Sequence, residues 1–285
     1  QVETPDGVRD AVLRGRVKQE ARLGDRVVVG DRVELAPPGE KEGERWTIEG
    51  VGDRHSTLVR RAPGKANRAK VIAANVDQVV IVFAAANPAP HLRMLDRFLV
   101  LCESTGLEAV VVANKVDVSG EEEARRTFGT YERIGYPVLY TSVKQGSGLD
   151  ALRERVRGRI SALTGPSGVG KSSLLNSIEP GLALRVASVS EAVGKGRHTT
   201  VTAELIPLGQ GSYVADTPGL RELGLWEVPR EELAHYFPEF GPYLGACRYG
   251  NSCSHSHEPA CAVRDAVDEG EIAPERYRSY LRMLA

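Results

Sequence analysis

The chain has 285 residues, of which 41% are hydrophobic and 26% charged, a composition typical of a folded globular protein. At this length we expect two or three domains, each able to bury its own core. Lysine and arginine total 37 against 38 acidic residues, a balance that excludes the global positive charge of a dedicated nucleic-acid binder.

Short alternating segments fill the region from residue 11 to residue 60. Residues 12–17 and 26–29 are typical of strands, and the Gly-Asp pairs at 24–25 and 30–31 are typical of tight turns. About five such strands without a helix predict a small barrel of the oligonucleotide-binding (OB) type, whose face often meets RNA, and we assign it to residues 1–66. The alternative is a β module that only packs against its neighbour.

A basic stretch runs from Arg54 to Lys70 and contains neither Asp nor Glu. Such a stretch is a candidate surface for contact with RNA phosphates, and the alternative is a solvated linker. Its six basic residues are Arg54, Arg60, Arg61, Lys65, Arg68 and Lys70.

From Val76 onward, apolar strands alternate with helical segments. This alternation predicts βαβ units and a largely parallel sheet covered on both faces, which we assign to residues 67–225. Ligands of such folds bind at the carboxyl ends of the strands. The predicted strands are 79–84, 109–113, 137–141, 160–164 and 212–215, and the predicted helices are 91–105, 121–134 and 149–157.

Residues 165–172 (GPSGVGKS) match the phosphate-loop pattern and lie between a predicted strand and a predicted helix, as that motif requires. The glycines let backbone N–H groups turn toward the phosphates, and the helix N-terminus adds a favourable dipole. Lys171 would contact the β- and γ-phosphates, and the Ser172 hydroxyl would ligate magnesium. Because this loop contacts only phosphates, it does not choose between ATP and GTP.

Residues 114–117 (NKVD) follow a predicted strand and resemble the guanine-specificity motif of GTPases. Asp117 would accept hydrogen bonds from N1–H and N2–H₂ of guanine, a donor pair that adenine lacks. Ser142, after the strand at 137–141, is positioned like the loop that backs the guanine. The four-residue motif is weak alone, but it becomes specific in a chain that also has a phosphate loop.

The order of these motifs is inverted, because the base-reading motif precedes the phosphate loop. This predicts a circularly permuted GTPase, a rearrangement tolerated where domain termini lie close together. Residues 216–219 (DTPG) resemble the motif in which Asp216 holds magnesium through water and the Gly219 N–H senses the γ-phosphate. Thr199 or Thr200 is the candidate second hydroxyl ligand of magnesium.

Leu220 follows Gly219, where many GTPases have a glutamine that orients the attacking water. A leucine side chain cannot orient water. His198 is the nearest replacement, and it could orient or polarise the water once its loop closes. The alternative for His198 is a residue that faces RNA or solvent.

Three of the four cysteines lie near the C-terminus with histidines between them, which favours metal ligation in a reducing compartment over disulfides. Three thiolates and one imidazole suit a tetrahedral structural zinc site, although His257 competes with His255 as the imidazole. We assign this zinc-binding, mostly helical part to residues 226–285. Cys102, among apolar neighbours, is better interpreted as a buried apolar residue. The expected zinc ligands are Cys247, Cys253, His255 and Cys261.

The longest apolar run, residues 76–86, is well short of the roughly 18 residues that a membrane span needs. The N-terminus shows no charged segment followed by an apolar one, so we expect no secretory signal. We therefore expect a cytoplasmic protein that does not associate with membranes.

Together these residues resemble one bacterial family along nearly the whole chain, the ribosome small-subunit-dependent GTPase A family (RsgA, also called YjeQ). The resemblance implies an OB-type barrel, a permuted GTPase domain and a zinc domain. It also implies GTPase activity in late maturation of the small ribosomal subunit, stimulation by that subunit, and His198 as the catalytic residue. Besides the motif order, it rests on residues 30–33, 74–78, 196–200 and 258–263.

We therefore expect a monomer that binds GTP or GDP together with magnesium and also binds one structural zinc ion. Its expected partners are the small ribosomal subunit with its rRNA, and other assembly factors are further candidates. Two other functions stay open, a GTP-gated RNA-binding scaffold with incidental turnover and a GTPase of large-subunit assembly. The expected catalytic residues are His198, Lys171 and Thr200, and the expected magnesium ligands are Ser172, Thr200 and Asp216. The expected GTP-binding residues are Asn114, Lys115, Val116, Asp117, Ser142, Gly165, Pro166, Ser167, Gly168, Val169, Gly170, Lys171, Ser172, Ser173, Asp216 and Gly219.

Overall fold

A computed structural model describes residues 1–15, 27–39, 45–61, 69–182, 204–216 and 228–285, without the side chains of residues 59–61, 69, 70 and 216. The described residues form an OB-like barrel, a central α/β domain and a mostly helical C-terminal part, which confirms the predicted fold class. None of the described helices is long and apolar enough to cross a membrane.

The N-terminal part is built from short strands, which pair antiparallel except for Ala11–Leu13 and Trp46–Val51, a parallel pair. The bulges at Glu34/Leu35 and Leu58/Val59 bend two of them, as a small barrel requires. An isolated bridge from Val29 to Ala73 links the segment before Val33–Ala36 to Ala69–Ala74. The strands are β1 (Val2–Thr4) paired with β2 (Gly7–Arg9), β3 (Ala11–Leu13), β4 (Val33–Ala36) and β5 (Trp46–Val51) in the order β3-β5-β4, and β6 (Thr57–Arg61) paired with β7 (Ala69–Ala74).

The central sheet has six strands in the order β10-β9-β8-β11-β13-β12, and all are parallel except β12. The predicted helices and strands of this region agree with the structure within one or two residues. The strands are β8 (Gln78–Ala84), β9 (Glu108–Asn114), β10 (Val138–Thr141), β11 (Ile160–Thr164), β12 (Glu204–Pro207) and β13 (Tyr213–Asp216). The helices are α1 (Leu92–Thr105), α2 (Val116–Ser119), α3 (Glu121–Ile134), α4 (Leu149–Val156) and α5 (Lys171–Ile178).

Helices cover both faces of this sheet, so its central strand β8 is buried along its whole length. Alternate residues of β8 enter two cores, one with α1 and α3 and the other with α4 and α5. Cys102 lies in the first core at 3% exposure, and burial raises the pKa of its thiol. This confirms that Cys102 is an apolar core residue rather than a ligand.

The barrel is joined to the central sheet through Asn75, whose buried side chain sits at a left-handed φ of 56°. Its amide donates to the Gly30 carbonyl at 2.9 Å and accepts from the His55 N–H at 3.0 Å. Because β7 pairs with β6 up to Ala74, we propose that the barrel ends at Asn75 rather than at residue 66.

Arg54 does not belong to a free phosphate-contacting surface, so this part of the sequence prediction is wrong. Its guanidinium donates two hydrogen bonds, of 2.6 and 2.8 Å, to the carboxylate of Asp31, which is almost fully buried. The pair holds a turn of the barrel. Of the other basic residues of the stretch, Lys65 and Arg68 lie outside the described residues, and the structure does not describe the side chains of Arg60, Arg61 and Lys70.

The C-terminal part packs as a third core against α1, with stacked and edge-on rings of Phe237, Phe240 and Tyr280 at its centre. Val100 of α1 belongs to this core, so the C-terminal part and the central domain share a helix. Its elements are α6 (Ala262–Asp268), α7 (Pro274–Leu284) and 3₁₀ turns at 233–236, 238–243 and 250–252.

Candidate nucleotide site and metal centre

The phosphate loop between β11 and α5 adopts a conformation that only glycine allows at two points. Gly165 has a φ of 133°, and a Cβ there would lie 2.0 Å from the Val82 carbonyl oxygen. Gly170 has a φ of 95°, and a Cβ there would lie 2.5 Å from the Asn114 amide nitrogen. Both close approaches bring the loop against the carboxyl ends of β8 and β9, the edge where ligands of parallel sheets bind.

Lys171 opens α5 and turns back over the loop. Its ammonium donates to the carbonyls of Gly165 at 2.7 Å and Pro166 at 2.5 Å. The first turn of α5 also holds Ser172 and Ser173, both exposed beside this ammonium. A cation, two hydroxyls and the free N–H groups of a helix start form a surface suited to an anion.

Asn114, at the end of β9, ties the base-reading motif to the phosphate loop. Its buried amide donates to the Val169 carbonyl at 2.9 Å, and its oxygen accepts from the Thr141 hydroxyl at 3.0 Å. One side chain thus joins the ends of β9 and β10 to the phosphate loop that follows β11. Asn114 and Val169 lie 55 positions apart, in motifs of inverted order, yet the side chain of one hydrogen-bonds directly to the backbone of the other.

Lys115 and Asp117 lie on either side of this junction. Lys115, at a left-handed φ of 63°, extends along the outside of the phosphate loop, where its ammonium donates to the Gly168 carbonyl at 2.7 Å and to the Asn87 carbonyl. The carboxylate of Asp117 accepts from the buried Ser142 hydroxyl at 2.6 Å. Both charged groups are therefore held in place by hydrogen bonds.

The Ser142 loop is compact, because the Gln145 N–H donates to the Ser142 hydroxyl at 3.1 Å and Ser142 forms a bridge with Ser147. Gly148 closes this loop at a φ of 71°, where a Cβ would lie 2.0 Å from the Tyr140 carbonyl oxygen. The structure thus brings the loop predicted to back the guanine beside the base-reading carboxylate.

The remaining residues expected at the nucleotide are incompletely described. Val116 is buried at the start of α2. The backbone of Asp216 ends β13, on the same edge of the sheet as the phosphate loop, but its side chain is not described. His198, Thr200 and Gly219 lie outside the described residues.

Sequence reasoning missed Asn87, whose carbonyl accepts a hydrogen bond from Lys115. It lies three residues beyond the carboxyl end of β8. Because the carboxyl ends of β8, β9 and β11 meet at one edge, the rule that located the other motifs could have found this residue too.

Three cysteines and one histidine of the C-terminal part converge on a single point. All four ligand atoms are buried and lie within 4.8 Å of one another. The Cys247 and Cys261 sulfurs are 3.8 Å apart, and each lies 3.4 Å from Nδ1 of His255. A tetrahedral zinc ion, with bonds of about 2.3 Å to sulfur and about 2.0 Å to nitrogen, separates two sulfurs by about 3.8 Å and sulfur from nitrogen by about 3.5 Å. The donor set therefore fits such an ion.

His257 is exposed, whereas His255 is buried among the thiols, so only His255 belongs to this cluster. The loop between them is held by Glu258, whose carboxylate accepts from the backbone N–H groups of Ser254, Ser256 and His257. These hydrogen bonds outweigh its partial burial and lower the pKa of Glu258. The Tyr277 hydroxyl donates to the His255 carbonyl at 2.7 Å and completes the support.

Burial sets the protonation of the cluster in the metal-free protein. It raises the pKa of Cys253 to about 12 and also raises that of Cys261, whereas it lowers the pKa of His255. The imidazole is thus neutral near pH 7, and these two thiols hold protons that a metal ion must displace.

Residues 51–226 match the family described as RsgA GTPase. Over 99% of its length the chain is 51% identical to a small ribosomal subunit biogenesis GTPase RsgA of Gemmatimonas aurantiaca, of which it covers 92%. It is 48% identical, over its whole length, to the protein of that name from Moorella thermoacetica, again covering 92%.

Two solved structures resemble the whole fold. The structure of YjeQ from Thermotoga maritima has a TM-score of 0.77 at 38% identity, over 98% of this chain and 90% of that one. The structure of YloQ, described as a circularly permuted GTPase, has a TM-score of 0.73 at 30% identity, over 99% and 88% of the two chains. With its inverted nucleotide motifs joined at one edge of the sheet, the chain belongs to the RsgA GTPase family.

Proposed function

We propose that this GTPase acts in late maturation of the small ribosomal subunit, in the cytoplasm, and that the subunit stimulates its hydrolysis of GTP to GDP and phosphate. The names of the relatives from G. aurantiaca and M. thermoacetica support this role, since both describe biogenesis of that subunit. The OB-like barrel supports contact with rRNA, because RNA commonly binds barrels of this type.

The 2.9 Å hydrogen bond from Asn114 to Val169 carries the assignment of the nucleotide. It holds the base-reading and phosphate-binding segments side by side, so one nucleotide can span both. Asp117 then accepts from the guanine base while Ser142 holds the carboxylate in place. Adenine would leave this carboxylate without its donor pair, at a cost of about 1–3 kcal/mol or more for a charged group.

At the phosphate end, the ammonium of Lys171 turns from the loop carbonyls to the β- and γ-phosphates. N–H groups of residues 165–173 bind the remaining phosphate oxygens. Ser172, Thr200 and Asp216 would hold magnesium, which neutralises charge that develops on the phosphates during transfer. The Gly219 N–H would sense the γ-phosphate.

Because Leu220 cannot orient water, we assign that role to His198. Contact with rRNA then completes the catalytic arrangement around the His198 imidazole. Hydrolysis removes the contacts of the γ-phosphate, and the protein leaves the subunit. The barrel and the C-terminal domain together hold the rRNA.

The C-terminal cluster would hold one structural zinc ion through Cys247, Cys253, His255 and Cys261, since four protein ligands leave no open position for catalysis. Zinc would stabilise the fold of a short domain whose own core is small.

The test measures GTP hydrolysis by the protein alone, with small subunits and with large subunits. Stimulation of tenfold or more, about 1.4 kcal/mol off the barrier, by small subunits only supports the proposal. Stimulation by large subunits instead, or by neither, contradicts it. His198→Ala should lower stimulated hydrolysis by about 100-fold or more while GTP affinity stays unchanged, and His257→Ala, the exposed control, should not.

A further inference from the structure

His255 contributes its imidazole to the metal centre from a strained backbone. Its φ is 54°, in the left-handed region that residues other than glycine rarely adopt, because the Cβ then crowds the following carbonyl oxygen. Its side chain is nevertheless buried, with Nδ1 3.4 Å from the sulfurs of Cys247 and Cys261. Such strain persists only where the surroundings hold it. The contacts that hold this backbone therefore decide whether the imidazole meets a metal ion.

The two peptide groups that flank His255 are both held by helix α7. The backbone angles of a residue are fixed once the peptide groups on its two sides are fixed. The carbonyl before His255, that of Ser254, accepts from the Tyr280 hydroxyl at 2.6 Å. The carbonyl of His255 itself accepts from the Tyr277 hydroxyl at 2.7 Å. Helix α7 thus holds the carbonyl ends of both peptide groups.

Glu258 holds the N–H ends of the same loop. Its carboxylate accepts from the N–H of Ser254 at 2.8 Å and from the Ser254 hydroxyl at 2.5 Å. It also accepts from the N–H groups of Ser256 at 3.1 Å and His257 at 3.2 Å. The Ser256 N–H belongs to the peptide group that follows His255, so this group is held at both ends. Hydrogen bonds to a charged acceptor are roughly twice as strong as those between neutral groups, so the carboxylate contributes most.

We propose that Glu258 is a positioning residue of the metal centre, which keeps His255 in its left-handed conformation and so directs Nδ1 at the metal. The inference rests on the proposed zinc site. Glu258 acts through His255 and is not one of the four clustered ligands. Without the carboxylate, the peptide group after His255 is free to turn toward an unstrained φ, which carries the imidazole away from the thiols. Loss of a side chain that orients a metal ligand typically lowers metal affinity about 10- to 100-fold.

The test uses Glu258→Gln in the full chain. The amide keeps the shape of the carboxylate, but its nitrogen donates, so one side of the loop loses its acceptor. Tyr277→Phe releases the other end of the same peptide group and is the second variant, should Glu258→Gln not fold. The matched control is Glu269→Gln, an exposed glutamate at the end of α6. Ile272→Ala, in the buried core of the same part of the chain, controls for a general loss of stability.

Two quantities are measured, the affinity for zinc by chelator competition and the visible absorption of each protein saturated with cobalt. Cobalt(II) binds tetrahedral zinc sites, and its visible bands depend on the ligand set and the geometry. We expect Glu258→Gln to bind zinc about 10- to 100-fold more weakly than Glu269→Gln. Its cobalt spectrum should shift toward that of His255→Ala, which lacks the imidazole. Ile272→Ala should keep the wild-type spectrum once saturated, whatever its affinity.

A wild-type cobalt spectrum in Glu258→Gln overturns the inference even where zinc binds more weakly, because the carboxylate then only stabilises the domain. A zinc affinity equal to that of Glu269→Gln overturns it as well. If Glu258→Gln does not fold, a wild-type spectrum in Tyr277→Phe has the same consequence. A wild-type protein that binds neither zinc nor cobalt contradicts the proposed zinc site itself and the inference with it, so the two failures are distinguishable.

Discussion

Arg276 is the side chain whose loss we expect to cost most, because it is 1% exposed and carries a charge. Its guanidinium donates to Asp96 at 2.8 Å and to Glu239 at 2.7 and 3.2 Å, and it lies 4.6 Å from the centre of the Phe237 ring. Burial alone would lower the pKa of Arg276, but the two carboxylates outweigh burial and raise it. The guanidinium therefore stays charged, and it joins α7 and the turn at Glu239 to α1.

Arg276→Met keeps most of the volume but leaves two buried carboxylates without their cation. Breaking a buried pair in this way costs about 3–5 kcal/mol, a large part of the roughly 5–15 kcal/mol that stabilises a domain. Arg278→Met is the matched control on the same helix, because its ion pair with Glu275 is exposed and contributes about 1 kcal/mol or less.

The assay is urea unfolding of the metal-loaded proteins, followed by circular dichroism. A triple variant, Arg276→Met with Asp96→Asn and Glu239→Gln, removes all three charges and should recover part of the loss if buried charge is the cause. If Arg276→Met costs no more than the control, or if the triple variant is worse than the single one, the reasoning is refuted.

Two further predictions concern the metal centre and the base-reading loop. Because burial raises the pKa of Cys253 and Cys261, zinc binding releases at least these two protons, and the affinity for zinc should rise at least about a hundredfold from pH 6.5 to 7.5. Competition with a chelator of known pH dependence measures this, and a pH-independent affinity would contradict it. Gly148→Ala should lower the free energy of unfolding, measured thermally, by about 2 kcal/mol or more and should weaken GTP binding, because its Cβ meets the Tyr140 carbonyl. Gly146→Ala, at a φ of 73° in open space, should lower it by only about 1–2 kcal/mol and keep GTP affinity. Equal losses in the two glycine variants would rule out the steric cause.

The sequence predicts the central sheet well because whole strands of it are buried and are therefore apolar along their length. β8 is buried along its length, so its apolar run leaves few alternatives, and α3 has the predicted bounds with acidic residues in its first turn and Gly135 after its last. The nucleotide motifs lie at strand ends, and in a parallel sheet these ends meet. Their juxtaposition, including the Asn114 contact with Val169, therefore follows from the topology.

Side chains whose partners lie far along the chain could not be predicted in this way. Arg54 looks like any basic residue of its stretch until folding brings it against Asp31, 23 positions earlier. Arg276 occupies a helix rich in charged residues, and its partner Asp96 lies 180 positions away. Composition and periodicity describe neighbours along the chain, whereas such pairs depend on how separate elements dock.

Helix α1 is the element through which the nucleotide site and the C-terminal part can affect each other. The segment that leads into it supplies the Asn87 carbonyl that holds Lys115 against the phosphate loop, and four residues into the helix Asp96 holds Arg276 of α7. A helix of 14 residues in a close-packed core moves as one body, about 21 Å long. Asn87 lies outside this helix, so a shift of the phosphate loop displaces Asp96 only where residues 88–91 carry it into α1. Once α1 moves, Asp96 must move with it or break its buried contact with Arg276. Because breaking that contact is costly, the C-terminal part should follow α1 rather than move independently of it.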